Sequence, residues 1–323
     1  MKEATGSYKS IGTILPYFGY ECEDYWHLNY KLRCTKNTFD YYWDVKDKYL
    51  LFSWDKDENG IPLYLGSDGL KYYSSIFLGH YALGAFQVYL DDDCQSAKEE
   101  FIRIAEWFVE NINDKGVWIN HYPMKTFGLK KSWQSCLSQA KGISVLCRAY
   151  YLTRDDKFLN TLLLASESYF VPVSDGGVLI NFQDFKMFEE YATETPSGVL
   201  NGHIFAIWSI FDIFKLSDLL NLKFPHKAEL ENIYNGVCDS LANNLFRWDT
   251  GYWSRYDIWD RHYNLASLFY HDLHIKQLSI LYGMTGNCKF KAFKDRWANY
   301  RDNPLYRFAS LLGKVYFRLI KNA

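Results

Sequence analysis

Apolar residues recur at three- and four-residue spacing along most of the chain from about residue 70 onward. Between residues 97 and 112 the apolar positions Ala97, Phe101, Ile104, Phe108 and Ile112 form one stripe on a helix. Many of the periodic segments lack a long polar face, so we expect those helices to pack on two sides. Similar patterns predict helices at about 74–90, 133–153, 156–170, 201–220, 226–247, 264–283, 288–300 and 304–320.

A short polar motif separates pairs of predicted helices. An acidic residue precedes a glycine, and an apolar or aromatic residue follows, as in Asp57–Ile61 and Asp249–Trp253. Asp and Gly tolerate the dihedral angles of tight turns, and we expect short extended pieces after them. The motif glycines recur roughly every 55 to 75 residues, about the length of a helical hairpin. They are Gly60, Gly116, Gly177 and Gly251.

This repeat predicts a mainly α fold, an (α/α) toroid or barrel of helical hairpins with short β-hairpin loops. A plain helical bundle is the alternative. Residues 1–56 are aromatic and mixed in charge without clear periodicity. We expect them to form an irregular N-terminal arm that packs on the toroid, and residues 57–323 to form the toroid domain itself.

Composition and charge limit the partners. The chain has 323 residues, a formal net charge of −2 and 19% aromatic residues. This charge gives no electrostatic signature for nucleic acid, so we expect no such partner. Most of the aromatic residues are expected in the core, and the remainder suit stacking on sugar rings.

The cysteines and the apolar runs indicate the compartment. The seven cysteines include no Cys-x-x-Cys pair, the N-terminus lacks the apolar stretch of a signal peptide, and no run is long enough for an integral membrane segment. We therefore expect a cytoplasmic protein with free thiols. Arg307, Lys314, Arg318 and Lys321 on the apolar C-terminal helix favour either peripheral membrane contact or a helix that closes the ring.

Several common catalytic motifs are absent, including the phosphate-binding loop, the dinucleotide fingerprint, the nucleophile elbow and His-Glu-x-x-His. His271 and His274 are three residues apart in a helical pattern, and Tyr270 shares a face with His274. Two such histidines would ligate a metal only if another ligand converged on them. Hydrogen-bonded histidines are the simpler interpretation, so we expect no metal.

The most distinctive segment is Glu189–Gly202, a turn-like stretch before a long predicted helix. It places a carboxylate, Glu190, beside a phenol, Tyr191. Loop residues at the end of a rigid element often carry chemistry. Tyr256 and Tyr270 lie in similarly polar and aromatic surroundings downstream. A carboxylate with several phenols suits proton transfer at carbon, and does not suit phosphate, redox or nucleic-acid chemistry.

Four blocks, in order, resemble the C-terminal domain of the D-glucuronyl C5-epimerases, enzymes of heparan sulfate and heparosan-type polymer maturation. Trp133–Gln139 resembles the family's Trp-Tyr-Ser-Ala-Met-Ala-Gln, and Glu189–Gly202 resembles Glu-Glu-Tyr-Pro-Thr-Thr-Pro-Ser-Ser-Phe-Val-Leu-Asn-Gly. Tyr270–Leu278 resembles Tyr-His-Thr-Thr-His-Ile-Asn-Gln-Leu, and Phe293–Trp297 matches the family's closing helix. The resemblance covers roughly residues 73–300.

The resemblance implies an α/α toroid with a polysaccharide cleft and catalytic roles for Glu190, Tyr191, Tyr256 and Tyr270. One departure is that the arginine of the family's Tyr-Asp-Leu-Arg-His stands two residues later here, at Arg261. The animal relatives pair as dimers, which is consistent with a homodimer. The residues expected to bind substrate are Tyr73, Trp133, Gln139, Asn201, Arg261, His262 and His274.

The implied chemistry follows from the substrate. The C5 hydrogen of a uronic acid is α to a carboxylate, so its removal creates an enediolate that cations or hydrogen-bond donors must stabilise. Inversion needs a second group that returns a proton on the opposite face. Glu190 and Tyr270 are the expected pair, Tyr191 and Tyr256 position or protonate the sugar, and Arg261, His262 and His274 are candidates to stabilise the charge.

The predicted function is therefore conversion of D-glucuronate to L-iduronate within a heparosan-like polysaccharide. No cofactor is expected, because the proton leaves and returns without oxidation. A polysaccharide lyase begins with the same abstraction but expels the 4-O substituent, and it remains an alternative. A non-catalytic glycan-binding toroid is the other.

Overall fold

The computed structural model describes residues 14–20, 25, 27–28, 30–33, 39–182 and 185–322. Each helix that the periodicity predicts is present, with ends that differ by a few residues. The expectations for the N-terminal residues 1–8 and for part of the arm lie outside the described residues. The helices are α1 (Asp47–Leu50), α2 (Ser75–Asp92), α3 (Gln95–Glu110), α4 (Cys136–Thr153), α5 (Asp156–Glu167), α6 (Leu200–Leu220), α7 (Lys227–Asn244), α8 (Leu268–Thr285), α9 (Cys288–Asp302) and α10 (Pro304–Asn322).

Among the described residues, four short strands form two antiparallel hairpins. They are β1 (Tyr64–Leu65), β2 (Lys71–Tyr72), β3 (Leu179–Phe182) and β4 (Phe185–Phe188), with β1 paired to β2 and β3 paired to β4. Gly60, Gly116 and Gly251 adopt left-handed φ angles of 81°, 72° and 83°, as their turn motifs predict. In the third motif the left-handed glycine is Gly176, with φ 97°, rather than Gly177.

The helices form two layers. The inner helices α2, α4, α6 and α8 pack successively on one another, and each also packs on the helix that follows it in the chain, α3, α5, α7 or α9. The burial of the side chains agrees with this division into inner and outer helices. Every residue from Cys136 to Tyr150 in α4 is buried, whereas α3 buries one stripe that includes Phe101, Ile104 and Phe108. The predicted fold, a helical toroid of hairpins, is confirmed.

Serine N-caps fix where three of the inner helices begin. Ser74 accepts a hydrogen bond from Phe77 N before α2, Ser135 from Leu137 N before α4, and Ser267 from Tyr270 N before α8. Such a cap satisfies a backbone N–H group that has no partner within the helix. Tyr270 is thereby fixed in the first turn of α8.

The described residues of the N-terminal arm pack between inner helices. The ring of Tyr25 lies 5.8 Å from that of Phe77 in α2, and the ring of Tyr30 lies 6.2 Å from that of Phe269 in α8. Trp43 is fully buried and stacks on Tyr30 at 4.6 Å. The arm therefore contributes aromatic side chains to the core.

Within the described ranges, no helix is both long enough and apolar enough to cross a bilayer. The cysteines of this part of the chain are unpaired, and they are Cys94, Cys136, Cys147, Cys238 and Cys288.

Candidate active site

Aromatic side chains gather where the inner helices begin. The hydroxyl of Ser74, the N-cap of α2, lies 3.1 Å from the hydroxyl of Tyr122. Trp133, shortly before α4, packs edge-on against Tyr122 with ring centres 5.4 Å apart. The Trp133 ring is also 5.4 Å from that of Tyr191. The starts of α2 and α4 are thus connected to the distinctive loop before α6.

The starts of α6 and α8 complete the same region. Asn201, in the first turn of α6, donates a hydrogen bond to Glu190 Oε2 at 3.3 Å. Tyr270 of α8 lies edge-on against Tyr256, with ring centres 4.7 Å apart. Tyr256 belongs to the same buried cluster as Tyr191. We call Glu190, Tyr191, Tyr256 and Tyr270 the acid–tyrosine cluster, and these are the four residues with predicted catalytic roles.

Glu190 is 2% exposed and lies at the centre of this cluster. Burial raises the pKa of its carboxyl to about 8, and the neighbouring charge of Glu189 acts in the same direction. Hydrogen bonds with the Tyr191 and Tyr256 side chains lower that pKa in part. Gly202 is required here, because a Cβ at that position would lie 2.1 Å from Glu190 Oε2. The carboxyl therefore has a proton affinity suited to exchange near neutral pH.

Glu189 has a different part in the same loop. Its Oε2 accepts hydrogen bonds from the backbone N–H groups of Ser197 at 2.7 Å and Gly198 at 3.4 Å, and its Oε1 accepts from the Ser197 hydroxyl. Burial raises the pKa of Glu189 to about 7, and these hydrogen bonds limit the increase. Through these hydrogen bonds Glu189 fixes the loop that carries Glu190 and Tyr191.

Tyr191 and Tyr256 are neutral hydrogen-bond donors. Burial raises the pKa of both phenols well above the usual value, and the charge of Glu190 raises it further. Tyr191 also stacks on Phe127 with ring centres 4.1 Å apart and planes 18° apart. A phenol acts as a base only where cations depress its pKa, and these two phenols are shifted in the opposite direction.

The loop that carries Tyr256 is fixed by hydrogen bonds on both sides. The Tyr256 backbone N–H donates to Asn264 O at 2.9 Å, and its carbonyl accepts from Leu200 N at 3.2 Å. Asp257 accepts from Asn264 Nδ2 at 2.7 Å, and each of its carboxylate oxygens lies 3.0 Å from His262 Nε2. His262, a predicted substrate-binding residue, thus stabilises the loop of a predicted catalytic residue.

Trp133 and Asn201 contact the acid–tyrosine cluster, and His262 contacts the loop that carries Tyr256. Four other predicted substrate-binding residues have different surroundings. The Arg261 side chain is 55% exposed and pairs with Glu194 at 2.9 Å. Tyr73 is 43% exposed and donates to Asp57 Oδ2 at 2.8 Å. The sugar contacts proposed for Arg261 and Tyr73 stay predictions.

Gln139 and His274 lie in the interior. Gln139 donates to Gly116 O at 2.7 Å and to Ser168 Oγ at 2.9 Å, so its side chain links a turn to the end of a helix. His274 Nδ1 lies 3.1 Å from Ser254 Oγ. Burial lowers the pKa of His274 well below the usual value, so this imidazole carries no positive charge at neutral pH.

His271, the other histidine with metal-like spacing, is occupied by protein groups. Its Nδ1 accepts from Ser254 N at 3.2 Å, and its Nε2 lies 3.0 Å from Trp297 O. Across the described residues, no three His, Cys, Asp or Glu side chains converge in a way that would suit a metal ion.

Some site residues are missing from the sequence-based prediction. Phe127 and Tyr122 lie between the Gly116 turn motif and the Trp133–Gln139 block, in a stretch without helical periodicity. Trp259 packs on Phe127 with ring centres 5.4 Å apart and donates to Thr195 Oγ1 at 2.9 Å. Lys314 of α10 lies 5.9 Å from the Tyr256 ring centre.

Comparison with known proteins identifies similar sequences. The family profile described as "D-glucuronyl C5-epimerase C-terminus" matches residues 112–299, more than half of the chain. The chain is 30% identical over 214 residues to a D-glucuronyl C5-epimerase of Caenorhabditis elegans. The aligned region covers 62% of this chain and 34% of that protein. It is 31% identical over 185 residues to an uncharacterised protein of Methanocaldococcus jannaschii, 56% of each.

The chain thus spans about a third of the length of the nematode enzyme and about half of the archaeal protein. Among solved structures, an unsaturated glucuronyl hydrolase from Bacillus sp. GL1 aligns with a TM-score of 0.47 at 13% identity, over 71% of this chain and 62% of that one. The profile match contains all four residues of the acid–tyrosine cluster and ends before α10.

Proposed function

The chain belongs to the family described as D-glucuronyl C5-epimerase C-terminus, and on this premise we propose that it converts D-glucuronate to L-iduronate within a heparosan-like polymer. The observation that carries the proposal is the buried Glu190 carboxyl, with a pKa of about 8, hydrogen-bonded to two phenols. A base with this proton affinity, next to neutral donors, suits removal of a proton α to a carboxylate.

The proposed reaction balances without a redox cofactor. Glu190 removes the C5 proton, and the electron pair of the C–H bond passes into the enediolate of the sugar carboxylate. The Tyr191 and Tyr256 hydroxyls donate hydrogen bonds to the developing charge. Tyr270 delivers its proton to C5 on the opposite face, and exchange with solvent then restores both groups. The overall change is inversion at C5.

The arrangement of helices supports a polyanionic partner. The acid–tyrosine cluster contacts the N-terminal turns of α6 and α8 directly, through Asn201 and Tyr270. A helix N-terminus carries a partial positive charge and unpaired N–H groups. These helix termini stabilise the bound uronate carboxylate. They stabilise its enediolate more strongly, because the enediolate carries more negative charge. We therefore propose a glucuronate-containing polysaccharide as the substrate.

The direct test is incubation of heparosan with the protein in deuterium oxide, followed by proton NMR. We expect deuterium at C5 and new iduronate signals. Ultraviolet absorbance from an unsaturated uronate, with chain cleavage, would instead assign a lyase. Binding of heparosan with neither product would leave a glycan-binding toroid and would refute the epimerase.

The activity is expected to rise with pH. Glu190 must be ionised to act as the base, and burial raises its pKa to about 8. The rate of C5 exchange should therefore increase from pH 6 and level off above about 8. The same carboxyl binds a proton more tightly in the folded chain, so its contribution to stability falls as pH rises from about 4.5 to about 8. A rate that is flat across this range would contradict the assignment of Glu190 as base.

We also propose that the protein is a homodimer in the cytoplasm. The free cysteines of the described residues suit a reducing compartment. α10 exposes an apolar face at three- and four-residue spacing, and a second copy would remove this face from water. Sedimentation equilibrium measures the assembly. The exposed residues of this face are Leu305, Phe308, Leu312, Val315, Tyr316 and Leu319.

A further inference from the structure

The C-terminal helix, α10, places the basic side chain of Lys314 next to the loop that carries Tyr256. α10 begins at Pro304, beyond the family match, which ends at residue 299. Lys314 Nζ donates to Asn264 Oδ1 at 2.7 Å and to Leu265 O at 2.9 Å. The contact between the two segments is close, because a Cβ at Gly313 would lie 2.7 Å from Leu265 Cδ1.

Asn264 connects Lys314 to Tyr256. The backbone carbonyl of Asn264 accepts a hydrogen bond from the Tyr256 N–H at 2.9 Å. The side-chain Nδ2 of Asn264 donates to Asp257 Oδ2 at 2.7 Å. The acceptor oxygen of the Asn264 side chain is the one that Lys314 occupies. Lys314 therefore fixes which way the Asn264 amide points, and with it the hydrogen bond to Asp257.

The Lys314 amine also lies against the Tyr256 ring. Its Nζ lies 5.9 Å from the centre of the Tyr256 ring and 5.2 Å from that of Phe317. Burial and the nearby Arg318 lower the pKa of Lys314 to about 7, and Asp257 opposes that shift. The Lys314 amine is therefore partly deprotonated at neutral pH, and in that form it still donates its hydrogen bonds to Asn264 and Leu265.

Arg261, the arginine that the family resemblance singles out, pairs instead with Glu194 at the surface. We propose that Lys314 is a positioning residue of this active site, which orients Tyr256 through its hydrogen bonds to Asn264 and Leu265. The inference depends on the proposed epimerase activity. It assigns to α10, outside the family match, a function in the reaction of this particular chain.

The test compares three variants with the parent protein. Lys314→Met removes both hydrogen bonds, Lys314→Arg retains a hydrogen-bond donor, and Lys291→Met removes an exposed lysine that pairs with Asp295 on α9. We expect Lys314→Met to lower kcat for C5 exchange by about 10- to 100-fold with little change in KM, because small displacements of a reacting group are costly. Lys314→Arg should recover most of the rate, and Lys291→Met should match the parent.

A second measurement does not depend on activity. The Tyr256 amide is hydrogen-bonded to Asn264 O, so its hydrogen exchange should be faster in Lys314→Met and unchanged in Lys291→Met. If the parent protein fails to exchange C5 hydrogen, the epimerase proposal fails, and this amide still tests the contact.

Three results would overturn the role of Lys314. One is a Lys314→Met variant with parental kcat and parental Tyr256 exchange. The second is a loss of thermal stability with kcat unchanged, which indicates packing alone. The third is a loss of activity that Lys314→Arg fails to restore while the variant remains folded.

Discussion

Glu190→Gln is expected to lower the rate of C5 hydrogen exchange by about 10²- to 10⁴-fold, the range that a general base contributes. The amide cannot accept the C5 proton, yet it has the size of the carboxyl and can still accept a hydrogen bond from Asn201. Because burial raises the pKa of Glu190 to about 8, the native side chain is mostly protonated at neutral pH. The neutral amide should therefore be tolerated by the fold.

The measurement is deuterium incorporation from solvent into heparosan, followed by NMR, together with thermal unfolding of the same sample. Glu167→Gln is a matched control, because Glu167 is exposed at the end of α5. Exchange within twofold of the parent in Glu190→Gln would remove Glu190 from the mechanism. A parallel Tyr270→Phe variant distinguishes the faces, since Glu190 alone would exchange the glucuronate hydrogen without forming iduronate.

The helical framework is predictable from the sequence because its cause is local. A buried stripe such as Phe101, Ile104 and Phe108 is visible as spacing, and the predicted segment matches α3. The serine caps Ser74 and Ser135 are likewise local, since each bonds a backbone N–H two or three residues away. Within this framework, the Glu189–Gly202 block is also visible locally, since it places a carboxylate beside a phenol just before a predicted helix.

What the sequence does not predict depends on contacts between distant segments. Gln139 lies in a block that resembles the family, yet it is fully buried and bonded to Gly116 and Ser168. The sequence alone does not distinguish an amide that bonds buried groups from one that binds substrate, because the difference depends on the fold. The pairing of Lys314 with Asn264 likewise spans fifty residues along the chain, and no local pattern connects them.

The pKa values are also set by the fold. The sequence places Glu189 beside Glu190, but adjacency does not indicate how the surroundings of the two carboxyls differ. The Ser197 and Gly198 N–H groups bond Glu189, whereas Glu190 is bonded to phenols and an amide. Tyr191 and Tyr256, the phenols expected to position or protonate the sugar, have raised pKa values because they are buried beside a carboxyl.

The largest expected effect on stability is at a buried ion pair between inner helices. Arg148 Nη1 of α4 lies 2.8 Å from Asp212 Oδ2 of α6, and both side chains are 0% exposed. Asp212 also accepts from Ser144 Oγ at 2.7 Å and from the Tyr42 hydroxyl at 2.8 Å, and Arg148 donates to Asp40 O at 3.0 Å. One carboxylate thus connects both helices with the N-terminal arm.

Asp212→Ala should lower the free energy of unfolding by about 3–5 kcal/mol, because it leaves the Arg148 charge buried without its partner. Urea unfolding followed by tryptophan fluorescence measures this change. Asp218→Ala is the control, since Asp218 is 75% exposed near the end of the same helix and should change stability by less than about 0.5 kcal/mol. The double variant Arg148→Met with Asp212→Leu should recover much of the loss, because it removes both charges and fills the space with apolar atoms. If Asp212→Ala loses less than about 1 kcal/mol, water or the N-terminal arm compensates the unpaired Arg148 guanidinium. The contact between α4 and α6 then depends on apolar packing alone.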